Sequence, residues 1–117
     1  MSDEAHSDDY KKLMDQKRFL SDIEQGIRLA NREVIHARIP QITKKAVLSF
    51  SLAVAGLRAR YLEEAFRIGA EHGSPPDQQE VNALKTSREM YEEAKYAFEA
   101  LRYAIERGYV DITLSDE

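Results

Sequence analysis

Apolar residues return every seven positions along two long stretches of this chain, and that spacing limits its fold more than any other feature. Leu13, Leu20, Ile27 and Val34 form one series, with Ile23 and Ala30 between them and Phe19 widening the face. Leu84, Tyr91, Phe98 and Ile105 form the other, with Ala94 and Leu101 between. Seven residues are close to two turns of an α-helix, so each series lines one side of a helix. In a strand, residues seven apart would point to opposite faces. Three prolines and five glycines in 117 residues, with 32% charged side chains, also suit long helices better than strands and turns.

The stop and start signals divide the chain into three helices. Ser7, followed by Asp8 and Asp9, is the expected N-cap of the first, the two carboxylates favouring the positive end of the helix dipole. Gln16 is a polar intruder in its stripe, and Gly26 costs about 1 kcal/mol of helix propensity. Pro40 stops this helix near Ile39, because proline disfavours the helical conformation in the residue before it, and Pro40 also suits the first position of the next helix. The second helix is expected to run to His72 and end at Gly73. Ser74-Pro75-Pro76-Asp77 opens the third, with Ser74 as cap and Asp77 in the place of a capping-box acid, and Gly108 ends it. Each helix spans about 33 residues, roughly 50 Å.

Equal lengths and a short second connection predict one all-α domain over residues 7–108, an antiparallel, up-down-up three-helix bundle. One long helix kinked at Pro40 is the rival, and it would leave the first helix to find its partner in another chain. Residues 1–6 and 109–117 are expected tails. Tyr109 to Leu114 alternates apolar and polar residues like a short strand, with no sheet to join in an all-α chain.

The middle helix carries two apolar stripes. One holds Val47, Phe50, Val54, Leu57, Tyr61, Ala65 and Ile68; the other holds Leu48, Leu52, Ala55, Ala59, Leu62 and Phe66. At 100° per residue their centres lie about 140° apart. A bundle helix needs one broad stripe, so the second is a candidate interface for self-association, with Ala55 and Ala59 allowing another backbone to approach closely.

Charge is uneven. Residues 28–60 carry seven basic side chains against one acidic, and residues 61–117 carry six basic against thirteen acidic. Arg32, Arg38, Lys44 and Lys45 gather around Pro40 as a candidate anion-binding turn, although a sequence pI near 5.4 is far from the basic footprint of a nucleic-acid-binding domain. Tyr96 and Tyr103, with Glu89, Glu92 and Glu99, form a candidate patch for a basic protein partner.

Signals for bond chemistry are weak. The chain has no cysteine, so disulfides and thiolate sites are excluded. Its glycines are isolated and form no phosphate-binding loop. Glu33 and His36 have the Glu-x-x-His spacing of carboxylate-bridged metal bundles, yet Val34 takes the core seam, leaving Glu33 at its border and His36 pointing away. No catalytic constellation and no cofactor site emerge. The start lacks the basic and apolar regions of a secretory signal, and the longest apolar stretch, residues 46–57, is too short to span a bilayer, for which about 20 residues are needed. The expectation is a cytoplasmic protein–protein interaction module, an adaptor, regulator or assembly subunit, that acts by binding itself or another protein. A nucleic-acid-associated regulator is the alternative, and a metal–carboxylate bundle a weaker one.

Overall fold

A computed structural model describes the backbone of residues 2–71 and 73–114. His72, expected at a helix end, and residues 115–117 of the expected C-terminal tail lie outside the described residues. Three helices account for most of the chain: α1 (Ser2–Arg38), α2 (Lys44–Glu71) and α3 (Gln78–Glu106). Two short strands, β1 (Ile42–Thr43) and β2 (Ile112–Thr113), pair in parallel, Ile42 with Ile112 and Thr43 with Thr113.

The ends of the helices correct several expectations. α1 already includes Ser2 to Ser7, so Ser7 sits within the helix instead of capping it, and the segment before it is helical. α1 stops at Arg38, as Pro40 demands, with Ile39 N–H still donating to Ile35 O at 2.7 Å. Pro40 does not open α2. The chain first spends Ile42 and Thr43 on β1, and the Thr43 hydroxyl then accepts from Ala46 N–H at 3.0 Å, which caps α2. The cap of α3 is Asp77, three residues beyond Ser74. Asp77 Oδ1 accepts from Glu80 N–H at 2.8 Å while Glu80 Oε1 accepts from Asp77 N–H at 3.2 Å, a complete capping box. At the other end Gly108, with φ of 72°, ends α3 as expected: its N–H donates to Ile105 O and that of Tyr109 to Ala104 O, the paired bonds of a Schellman turn.

That turn redirects the chain so that Tyr109 to Thr113 return to the start of α2. Ile42 N–H donates to Asp111 O at 2.8 Å, and Ile42 and Val110 are among the most buried residues, 7% and 4% exposed. Residues 109–113 are therefore part of the fold and not a tail. Their alternating pattern finds a partner in the short segment after Pro40.

α2 and α3 form an antiparallel pair. Phe50 meets Phe98 edge-on at 5.4 Å between ring centroids, and Tyr61 stacks on Tyr91 at 6.3 Å. Arg58 lies over the Tyr91 ring and donates from Nε to its hydroxyl at 3.0 Å. Near the far end Ser87, itself buried, faces the Glu64 carboxylate at 3.4 Å. The first stripe of α2 supplies this contact, with Val54 and Ile68 each 6% exposed.

α1 packs along neither of them. It meets the rest of the molecule only toward its C-terminal end and otherwise projects as an arm. The radius of gyration is 24.1 Å, where a compact chain of this length has about 13 Å. The accessible surface is 9683 Å², against about 6,500 Å² for a compact monomer of this mass. Ile42, Val54, Ile68 and Val110 are the buried apolar residues among those described, and none of them is fully buried.

Candidate functional site

The second stripe of α2 faces away from α3, because the α2–α3 contact uses the stripe about 140° around the helix. All six of its residues are exposed: Leu48 by 57%, Leu52 by 74%, Leu62 by 56% and Phe66 by 76%, with Ala55 and Ala59 exposed between them. Lys44 and Lys45 border a shallow recess against Leu48 and Leu52 at the start of this face. Isolated exposed leucines are ordinary, but here the exposed apolar residues follow one another in a continuous row along one side of the helix.

α1 offers a second uncovered row. Leu13, Leu20, Ile23, Ile27 and Val34 are each between 46% and 59% exposed, and Phe19 is 65% exposed. The stripe expected to face a bundle core thus faces solvent over nearly its whole length. No described helix is long and apolar enough to cross a membrane.

The root of α1 is held by polar contacts. Arg32 donates to Asp111 Oδ1 at 2.7 Å and to Gly108 O at 3.1 Å, and His36 Nε2 lies 3.0 Å from Asp111 Oδ2. The hydrogen bond from Arg32, assisted by the charges of Arg32 and His36, outweighs desolvation and holds the Asp111 carboxyl below the usual carboxylate range. The same junction leaves an apolar cleft where Ile35 and Ile39 approach Phe50, Leu101 and Val110. These contacts place α1 against the C-terminal end of α3, away from the outer face of its own α2.

The other candidate residues are distributed as follows. Arg32 is engaged by Asp111 and Gly108, which removes it from the candidate anion-binding turn and leaves exposed Arg38, Lys44 and Lys45. His36 faces Asp111, Glu33 is exposed, and no group of three or more metal-ligating side chains occurs among the described residues. In the α3 patch, Glu89 pairs with Lys85 at 3.8 Å and Glu92 with Arg88 at 3.2 Å, so part of its acidic field is met by its own helix. Tyr96 is 57% exposed beneath Lys95, and Glu99 is exposed. Tyr103, 50% exposed, lies edge-on to Tyr109 and under Arg107, facing the cleft beside Arg28.

Sequence reasoning missed Thr43 and Asp111. Thr43, directly before the run that becomes α2, is a legible cap signal, overshadowed by Pro40. Asp111 carries no local signal, since its partner lies 79 positions away. Compared with protein-family models, with curated proteins and with solved structures, the chain matches none.

Proposed function

We propose that this protein is a self-associating interaction module, the subunit of a helical assembly, which acts by binding and not by bond chemistry. The observation that carries the reading is the outer stripe of α2, exposed from Leu48 to Phe66 while the opposite stripe is consumed by α3. The excess over a compact monomer is about 3,200 Å² of surface per chain. Interfaces of obligate oligomers bury from about 2,000 Å² upward, so an assembly can absorb that excess. The up-down-up three-helix arrangement is then reached between chains.

Light scattering on gel-filtered protein tests this directly. A dimer or larger species is expected, and Leu52→Glu dissociates it with helical circular dichroism retained. A wild type that stays monomeric at high concentration overturns the reading.

A further inference from the structure

We propose that the outer stripe of α2 is covered by the α1 arm of a second copy, lying antiparallel to it, and that two chains exchange arms reciprocally. The inference deepens the self-association reading above and rests on it.

The two uncovered rows share one period. Along α1, Leu13, Gln16, Leu20, Ile23, Ile27, Ala30 and Val34 alternate steps of three and four residues, and along α2 so do Leu48, Leu52, Ala55, Ala59, Leu62 and Phe66. Steps averaging 3.5 residues define a coiled-coil seam, in which each side chain enters a hole on a facing helix. Both seams are exposed, and their lengths agree at about 31 Å and 27 Å for a rise of 1.5 Å per residue.

One antiparallel register matches them by volume. It sets Ile27 opposite Ala55, Ile23 opposite Ala59 and Ala30 opposite Leu52, so each small residue faces a large one. Leu20 then meets Leu62, Val34 meets Leu48, and the polar Gln16 falls beside Phe66, the last residue of the α2 row, with Leu13 beyond it at the level of Gly69. The register also places Lys17 beside Glu63, both exposed, as an opposite-charge flanking pair.

The chain's own arm does not serve this role while its root is in place. Arg32 and His36 hold α1 to Gly108 and Asp111, beside the end of α3. An arm arriving from a second copy covers the outer face of α2 with those contacts intact, an exchange of identical elements of the kind that builds closed two-fold dimers.

The absence of native cysteine makes the test clean. Lys17→Cys and Glu63→Cys are prepared as two single variants of the full chain, mixed, and oxidised. A disulfide-linked dimer in the mixture on a non-reducing gel is the expected result. Asp22→Cys, on the opposite side of α1, is expected to give far less of it with Glu63→Cys. An oligomeric wild type whose mixed variants do not cross-link overturns the arm exchange and leaves self-association standing. Cross-linking of Lys17→Cys only to itself shows arms pairing with arms, and a cross-linked monomer from the double variant shows the arm closing on its own α2; either overturns the proposal. A monomeric wild type in light scattering overturns both readings.

Discussion

The Arg32 guanidinium donates to the Asp111 carboxylate at 2.7 Å, joining the last third of α1 to the segment that follows α3. Asp111 serves twice in this junction, since its backbone carbonyl accepts from Ile42 N–H while its side chain takes Arg32 and faces His36. Asp111 therefore contributes both to the root of the arm and to the small parallel strand pair.

This junction is expected to weaken in acid. The Asp111 carboxyl is held below its ordinary range, so its contribution is complete above the unfolded carboxylate value and is lost as pH falls through the lowered folded one. Protonation leaves Arg32 and His36 without the carboxylate they face. The protection factor of the Ile42 amide, followed by NMR exchange and referred to the intrinsic rate at each pH, is expected to fall over that acid interval, and Asp111→Asn to lower it at neutral pH with the helices intact. Protection lost already well above the carboxylate range would assign the effect to another group.

The two faces of α2 respond differently to truncation. Ile68→Ala removes a side chain that is 6% exposed and costs about 2–4 kcal/mol. Its effect on the urea midpoint is the same at every protein concentration. Phe66→Ala, at a position 76% exposed in the single chain, changes stability by no more than about 0.5 kcal/mol in dilute protein. Its cost grows with concentration as the assembly it weakens becomes populated. Equal, concentration-independent losses at both positions would contradict this division of the helix.

The caps make a third contrast. Asp77→Ala and Thr43→Ala each lower stability by about 1 kcal/mol, because each leaves a helix-terminal N–H without its side-chain acceptor. Ser74→Ala and Ser7→Ala stay within about 0.5 kcal/mol, as substitutions away from such features do. Thermal denaturation of the four variants checks the ranking, and a Ser74→Ala loss as large as that of Asp77→Ala would return the cap of α3 to Ser74.

Much of the local structure was legible. Proline and glycine act through their own backbone restrictions, so Pro40 ended α1 and Gly108 ended α3 where their chemistry requires. The cap of α3 was less secure, since more than one candidate side chain stood near its start and one of them accepts the hydrogen bond. Ser74 and Asp77 are three residues apart, and the reciprocal bond with Glu80 selects Asp77. The two stripes of α2 could be drawn from the sequence, but nothing in their composition said which one α3 would cover.

Residues seven apart share a helix face whatever surrounds them, so the sequence alone determined that this chain is helical and that α1 and α2 each carry an apolar row. Tertiary structure decided where those rows point. Arg32 meets Asp111, and Ile42 pairs with Ile112, across most of the chain's length. These contacts turn α1 away from the α2–α3 pair and leave both rows facing water. Periodicity is a property of neighbours along the chain, whereas coverage depends on the relative placement of whole helices, which is fixed by contacts between residues remote in sequence.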